Sequence, residues 1–256
     1  MDVPVLAVVP ACLRSPQDTE MLGRCLVSLW RTAPGVPAVV IDASPPGSST
    51  ELAGVCAELG YELLRLSGAS SFARAANAGL AIAESAGADA VLVHHDVELL
   101  DEGWLDALLA ADGIIAGARL LFPDGTLQHC GYLYSQLVGR FEPRMLFGPA
   151  DLPASLEPAV CPVGSALTLV RHEALVALGG FDEGYSLGRE DVDLCLRAFA
   201  AGGTCVYEPR AAALHHNVAW RGVPDRDRER LAAASQERLL ARFDDAARRP
   251  FALELA

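Results

Sequence analysis

The sequence predicts a single α/β domain with a mostly parallel central sheet and helices on its faces. Short β-branched apolar runs alternate with longer segments whose apolar residues recur at helical spacing, which is typical of parallel βαβ units. The chain has 256 residues, of which 52% are hydrophobic, so it can bury one large core. Polar side chains follow the strands, at the edge where open α/β sheets bind ligands.

Composition excludes several classes of protein. The net charge of −13 disfavours a nucleic-acid backbone or an anionic membrane as the main partner. No run of eighteen apolar residues occurs, since charged residues interrupt the most hydrophobic region, 104–122, so we expect no transmembrane segment. The first residues lack a basic segment and predict a strand, and the seven cysteines form no CxxC pair. We therefore expect a cytoplasmic protein with reduced thiols and without a structural zinc site.

The first 112 residues contain four predicted strands, each followed by a helix. The strands are expected at 3–9, 36–41, 61–66 and 88–93, and the helices at 17–31, 49–59, 71–84 and 102–110. Asp42 ends the second strand and precedes Pro45, Pro46 and Gly47, so its carboxylate is expected at the carboxyl edge of the sheet. No GxGxxG motif follows the first strand, which argues against a dinucleotide fold of the dehydrogenase type.

Residues 113–223 continue the domain with a strand, a hairpin and a second set of elements. The predicted elements are a strand at 113–122, a hairpin through 127–132, a strand and helix within 161–178, a helix at 190–201 and a short strand at 211–214. Residues 135–157 have no clear period and predict either a surface excursion or a functional lid. Residues 224–248 predict one exposed helix that caps the domain, closes over a site or mediates a homodimer.

The helix at 190–201 begins with three acidic residues, Glu190, Asp191 and Asp193. Acidic side chains in a first turn complement the helix dipole and the unpaired N–H groups without any chemical role. Asp193 and Arg197 stand at i,i+4, which predicts a stabilising pair on the surface. Spacing alone therefore leaves both a structural and a chemical role open.

Four motifs in order carry a resemblance to a known family. They are Gly179-Gly180-Phe181-Asp182-Glu183, Glu190-Asp191-Val192-Asp193-Leu194-Cys195-Leu196-Arg197, Tyr207-Glu208-Pro209 and His215-His216. This series resembles the second half of the family 2 glycosyltransferases of the GT-A fold, and the resemblance covers most of the chain. It implies a Rossmann-like, mostly parallel central sheet with flanking helices and a small antiparallel element on the acceptor side. It also implies a nucleotide-sugar-binding half, 1–112, a metal and acceptor half, 113–223, and a C-terminal helix, 224–256.

The resemblance implies inverting transfer of a sugar from a nucleoside diphosphate sugar to an acceptor hydroxyl, with Mn²⁺ or Mg²⁺ as cofactor. Asp191 would be the catalytic base and Glu190 would position the acceptor, while Asp96 and His215 would hold the metal. The residues implied in donor binding are Pro10, Asp42, Arg74, Asn77, His94 and His95. We favour a uridine nucleotide, with guanosine and deoxythymidine as alternatives, and the acceptor is not predicted.

The sequence departs from the family at the metal-binding Asp-x-Asp motif. The triplet here is His94-His95-Asp96, so only Asp96 matches, and an offset pair of Asp96 and Glu98 is the alternative. One carboxylate plus an imidazole can suffice for a divalent ion, and manganese tolerates the imidazole better than magnesium. The alternatives to ligand-binding roles are polar strand ends for His94, His95 and His215.

Asn77 lies in the segment Gly68–Gly79, which resembles the family's approach to the nucleotide. The alternative is a helix of small residues packed closely on the sheet. Asp191 also presents a tension, because a helix N-terminus lowers the pKa of a carboxyl group and weakens it as a base.

Two rival functions remain at this point. Nucleotidylyl transfer also uses an α/β sheet and a metal-bound diphosphate, but the segment after the first strand, 10–14, provides only one arginine in place of a glycine-rich basic loop. A non-catalytic module that binds a sugar nucleotide or a protein would agree with the missing acid at position 94. Donor turnover with metal separates such a module from an enzyme.

Overall fold

The computed structural model describes residues 4–45, 52–67, 71–217 and 224–252. Its strands are β1 (Val5–Ala11), β2 (Ala38–Asp42), β3 (Glu62–Arg65), β4 (Asp89–Val93), β5 (Val97–Leu99), β6 (Ile115–Leu121), β7 (Leu127–His129), β8 (Tyr132–Ser135), β9 (Arg140–Pro143), β10 (Ala159–Val160), β11 (Leu167–Val170) and β12 (Cys205–His215). Ten strands of this described part form one mixed sheet in the order β10-β12-β6-β11-β4-β1-β2-β3, with β5 paired to β12 and β7 to β6.

The strand directions confirm a mostly parallel sheet. Strands β1 to β4, β6 and β12 run in one direction, and β11 lies antiparallel between β4 and β6. The carboxyl ends of β1, β4, β6 and β12 therefore meet at one edge, where open α/β sheets bind their ligands. Strands β8 and β9 form a separate antiparallel pair, which is the small antiparallel element that the sequence predicted.

Eight α-helices in the described ranges accompany the sheet. They are α1 (Pro16–Thr32), α2 (Leu52–Leu59), α3 (Phe72–Ser85), α4 (Trp104–Ala110), α5 (His172–Leu178), α6 (Glu190–Ala200), α7 (Asp225–Arg242) and α8 (Asp245–Arg248). Successive residues of β1 point to opposite faces, so Val9 packs in the core beneath α1 and α4, while Val8 packs in the core beneath α3 and α6. Both faces of the sheet are covered.

Three predicted boundaries are wrong. Residues 135–157 are not one irregular loop, because they contain β9 and a 3₁₀ turn at Pro153–Ser155. The last strand runs over Cys205–His215 rather than 211–214, and a register shift between Glu208 and Ala212 breaks its alternation. The C-terminal segment is two helices rather than one, since Phe243 is extended and Asp244 caps α8 by accepting from the Ala247 N–H.

The described residues also bear on the compartment and membrane predictions. All seven cysteines are free, and six of them are buried. Within the described ranges, no helix has the length and the apolar character needed to cross a membrane.

Candidate active site

A cavity of about 980 Å³ opens at the carboxyl edge of the sheet and brings together residues from both halves of the chain. Its size is sufficient for a ligand of nucleotide-sugar dimensions. Seven of the ten residues predicted for the site line it, namely Pro10, His94, His95, Asp96, Glu190, Asp191 and His215.

Two strand ends bring three candidate metal ligands together in this cavity. His94 follows β4, His215 ends β12, and Asp96 lies in the short link between β4 and β5. Because β5 pairs with β12, Val97 stands opposite His215, which brings the neighbouring Asp96 next to that imidazole. One ligand atom from each of the three side chains lies within 4.8 Å of the other two. The predicted metal residues Asp96 and His215 are therefore adjacent, and His94 joins them.

Gln128, on β7, determines which nitrogen of His215 faces Asp96. The Gln128 amide nitrogen donates to the His215 carbonyl at 3.2 Å, so its oxygen, Oε1, is the atom 2.6 Å from His215 Nδ1. Since that oxygen only accepts, Nδ1 carries the proton. In the neutral imidazole the unprotonated Nε2 then lies 3.2 Å from the Asp96 carboxylate. Two acceptors at this distance need a proton or a cation between them, so these residues fit a divalent ion.

The protonation of the other two ligands agrees with that fit. Burial, and then the charge of His215, lower the pKa of His94 to about 3, so its imidazole is neutral and can offer a lone pair. Without a metal ion, a proton on His215 Nε2 fills the place between these two groups. Burial acts to raise the pKa of Asp96, but the charge and hydrogen bond of this protonated His215 outweigh it and hold that pKa well below its usual range. A set of one carboxylate and two imidazoles suits Mn²⁺ better than Mg²⁺.

The offset pair of Asp96 and Glu98 does not form. Glu98 lies one strand position beyond Val97 and accepts from His216 Nε2 at 3.3 Å, with Arg24 4.0 Å away. Its carboxylate is outside the cluster of His94, Asp96 and His215. His95 is 7% exposed and lines the cavity, and among the described residues its Nε2 has no hydrogen-bond partner. An ordered water or a ligand atom in the cavity can satisfy that nitrogen.

Two carboxyl groups line the cavity from the start of α6, those of buried Asp191 and half-buried Glu190, whose atom Oε2 is enclosed. The Asp191 carboxylate accepts at Oδ2 from the Tyr132 hydroxyl at 3.1 Å and at Oδ1 from the Val192 N–H at 2.8 Å. Burial, and then the charge of Asp191, raise the pKa of Glu190 to about 8, and burial raises the pKa of Asp191. The expected lowering by the helix N-terminus is wrong, because desolvation outweighs the dipole here.

The predicted surface pair of Asp193 and Arg197 is instead a buried network. Asp193 is 0% exposed and binds Arg197 at 2.7 Å, Arg242 at 2.9 Å and the Tyr185 hydroxyl at 3.1 Å. Arg197 also donates to the carbonyls of Leu178 and Gly180. These bonds join α6 to α7 and to the turn before α6, so they hold the carboxyl pair in place.

Three residues predicted to bind the donor lie outside the cavity lining. Asn77 clamps the turn after α5, because its amide donates to the Phe181 carbonyl at 2.9 Å and accepts from the Phe181 N–H at 2.7 Å. Asp42 ends β2 and binds Arg65 at 2.9 Å, and Arg74 lies exposed on α3. Residues 68–70 of the same predicted segment are outside the described ranges. The donor contacts of these three side chains stay predictions.

Sequence reasoning missed Gln128 and Tyr132, which contact the predicted metal ligand and the predicted base. Both belong to the segment 127–132, which it interpreted only as a hairpin. Two polar residues, Gln128 and His129, lie buried on the three-residue strand β7, at 9% and 6% exposure. Adjacent polar residues beside buried apolar ones were the available signal, since buried polar groups need partners.

Comparison with curated sequences identifies glycosyltransferases, although no family model matches the chain. The N-acetylglucosaminyl-diphospho-decaprenol L-rhamnosyltransferase of Mycobacterium tuberculosis is 36% identical over 132 residues, which are 45% of this chain and 43% of that protein. The rhamnosyltransferase WbbL of Escherichia coli is 46% identical over 48 residues, which are 19% of this chain and 18% of that protein. The chain thus spans less than half the length of either relative. These matches confirm the resemblance to family 2 glycosyltransferases.

Comparison with solved structures confirms the GT-A fold. The mannosyltransferase PcManGT of Pyrobaculum calidifontis, solved with GDP-mannose and Mn²⁺, superposes with a TM-score of 0.65. The superposition covers 98% of this chain and 68% of that one at 16% sequence identity. At this identity the likeness concerns the fold alone.

Proposed function

We propose that this chain, which has a GT-A fold and glycosyltransferase relatives, moves a sugar from a nucleoside diphosphate sugar to an acceptor hydroxyl with inversion. The observation that carries the proposal is that three side chains suited to a divalent ion and the carboxyl pair of Glu190 and Asp191 line the same cavity. The ion would bind the diphosphate of the donor, and the carboxyl pair would accept the proton of the acceptor hydroxyl.

The names of the two relatives suggest the identity of the transferred sugar. Both are named as rhamnosyltransferases, so we propose a rhamnose-type deoxyhexose as the group transferred. A uridine nucleotide remains the favoured carrier, with guanosine and deoxythymidine as alternatives.

His94, Asp96 and His215 would hold Mn²⁺ or Mg²⁺, and the ion would offset the charge that develops on the departing diphosphate. Mn²⁺ is favoured because two of the three side chains are imidazoles. His95, with its unpartnered and buried Nε2, would contact the donor next to this cluster.

The carboxyl pair supplies the proton acceptor of the reaction. The acceptor oxygen forms a bond to the anomeric carbon while the bond from that carbon to the diphosphate oxygen breaks, and the nucleoside diphosphate leaves with the electron pair. The hydroxyl proton passes to Asp191. Because burial raises the pKa of Asp191, its carboxylate is a stronger base than an exposed one. Attack from the face opposite the leaving group inverts the anomeric centre.

Calorimetric titration tests the donor half of the proposal. UDP, GDP and dTDP are each added to the protein with Mn²⁺ and with EDTA, and we expect one nucleotide to bind tightly only with the metal. Binding of none of them to the folded protein would reject the transferase proposal. Metal-dependent binding without turnover of any corresponding rhamnose donor would favour the non-catalytic module.

The Asp191→Asn substitution tests the acceptor half. The amide keeps the size of the carboxylate but cannot take the proton, so we expect the transfer rate to fall about 10²- to 10⁴-fold while the nucleotide affinity stays within about twofold. Glu173→Gln is the control, because Glu173 is exposed on α5 and does not line the cavity. Equal transfer by Asp191→Asn and the unmodified protein would remove Asp191 from the mechanism.

A further inference from the structure

The two adjacent carboxyl groups of the cavity have unequal surroundings. Each oxygen of Asp191 accepts a hydrogen bond, from the Val192 N–H and from the Tyr132 hydroxyl. The Glu190 oxygen Oε2 is buried, and among the described residues it has no hydrogen-bond partner. Donors stabilise a carboxylate, whereas a buried oxygen without a donor disfavours the charge.

Tyr132 is the side chain that makes this difference. It is the first residue of β8, its N–H donates to the Pro162 carbonyl at 2.7 Å, and its ring packs edge-on against the His129 ring at a centroid distance of 4.3 Å. These contacts hold the hydroxyl in place against Asp191. A phenol donates to a carboxylate and not the reverse at neutral pH, because burial and the Asp191 charge keep the pKa of Tyr132 well above its usual value.

We propose that Tyr132 is a positioning residue, whose hydroxyl places the negative charge of the carboxyl pair on Asp191 and leaves the shared proton on Glu190. The charge of Asp191 acts on Glu190 next to it. Carboxyl groups that interact in this way ionise one at a time, so a donor on one of them decides which holds the proton. The titratable and charged groups that face Asp191 are Glu190 beside it, Arg189 before it and Tyr132 from β8. Of these three residues, only Tyr132 donates a hydrogen bond to the Asp191 side chain among the bonds observed.

The consequence is a division of labour within the pair. Asp191 stays an anion that can take a proton, and the protonated Glu190 presents an O–H donor to the cavity. That donor suits an oxygen of a sugar, either a ring hydroxyl or the glycosidic oxygen, and it would satisfy the atom that has no partner now. This consequence rests on the proposed sugar transfer, but the placement of the proton does not.

Carbon-13 NMR of the carboxyl groups tests the placement directly. The metal-free protein is labelled at aspartate and glutamate carboxyl carbons and titrated from pH 4 to pH 9, with Asp191→Asn and Glu190→Gln used to assign the two signals. We expect Asp191 to be ionised and Glu190 protonated at neutral pH. In Tyr132→Phe we expect the titration midpoint of the Asp191 carboxyl signal to rise by roughly one pH unit. Tyr134→Phe is the control, since Tyr134 lies on the same strand but outside the cavity lining.

Two results would overturn the proposal: an ionised Glu190 at pH 6 in the unmodified protein, or the same Asp191 midpoint in Tyr132→Phe and Tyr134→Phe. Both are measured without turnover, so they decide the proposal even if the protein transfers no sugar. Where transfer occurs, the acid limb of the kcat/KM profile should move to higher pH in Tyr132→Phe alone. Loss of transfer in every variant, with the NMR result as expected, would count against the proposed function and not against this role of Tyr132.

Discussion

At the scale of single residues, the tautomer of His215 decides whether its Nε2 can act as a metal ligand, and Gln128 sets that tautomer. Its two hydrogen bonds to the same histidine, at 2.6 and 3.2 Å, fix both the ring and the proton. Partners of this kind tune metal affinity although they never touch the ion. Gln128 therefore belongs to the candidate site as much as the three ligands do.

Gln128→Leu should weaken Mn²⁺ binding by about 10- to 100-fold, because His215 loses the acceptor that holds its proton on Nδ1. Gln128→Glu keeps an acceptor at that position and should retain most of the affinity. Titration of Mn²⁺ followed by the electron paramagnetic resonance of the free ion measures both. Leucine and glutamate variants with equal affinity for Mn²⁺ would show that the tautomer of His215 has no role.

Glu190 should make the folded protein less stable as pH rises. Its pKa is raised from 4.5 to about 8 by burial first and then by Asp191, so the folded state holds a proton that the unfolded state releases. The stabilisation is complete below about pH 4.5 and is lost as the pH rises through about 8. The Glu190→Gln variant lacks this dependence. From pH 5 to pH 8 its free energy of unfolding should therefore fall by roughly 1–3 kcal/mol less than that of the unmodified protein.

Urea denaturation of the metal-free protein at both pH values checks this expectation. Glu173→Gln is the matched control, because it makes the same change at an exposed position on α5. The same pH dependence for Glu190→Gln and the unmodified protein would contradict a protonated, buried Glu190.

At the scale of elements, helix α3 illustrates how close packing positions the site. Gly79 lies directly over β1, and a Cβ atom there would come within 2.2 Å of Val8 Cγ1. The same helix begins at Phe72, and the centroids of the Phe72 and His94 rings are 4.5 Å apart. Close packing of small residues, which was the alternative considered for this segment, is thus observed. The position of His94 depends on it.

Gly79→Ala should destabilise the protein by about 1–3 kcal/mol, because the Val8 side chain is buried and stiff at χ1 and cannot move aside. Gly23→Ala on α1 is the control, since nothing lies within 4 Å of its Cβ position. That change should be neutral or should stabilise by about 0.5–1 kcal/mol. Thermal unfolding of the two variants gives the comparison, and equal melting temperatures would show that α3 can move away from the sheet at no cost.

At the scale of the whole molecule, the C-terminal helix α7 caps the domain next to the site. Arg238 and Arg242 both bind Asp182 on the turn before α6, at 2.7 and 3.0 Å, and Ser235 accepts from the N–H groups of Ser186 and Leu187. Of the three roles that the sequence left open, capping is observed, and Leu231 of the same helix also lines the cavity. Leu239 is fully buried in a small core with residues of β8, β9 and α6.

Leu239→Ala should cost about 2–5 kcal/mol and should raise amide exchange in α6 and β8, because it leaves a cavity in the core that joins them. Val192, which packs in that core, directly follows Asp191, so the carboxyl pair should loosen too. Leu137→Ala is the control, since Leu137 is 89% exposed and should change stability by less than about 0.5 kcal/mol. Increased exchange confined to α7 would contradict the link to the site.

The sequence by itself determined the sheet class and the covered faces, because strand and helix periods are local. Seven of its ten predicted site residues line the cavity, because the motifs carry the family resemblance. Only the tertiary structure decided three things. The antiparallel insertion of β11 and the bulge in β12 depend on strand pairing between distant segments. The roles of Gln128 and Tyr132 depend on contacts 87 and 59 residues away in the chain. The raised pKa of Glu190 depends on burial, which a helix-dipole argument from sequence does not include.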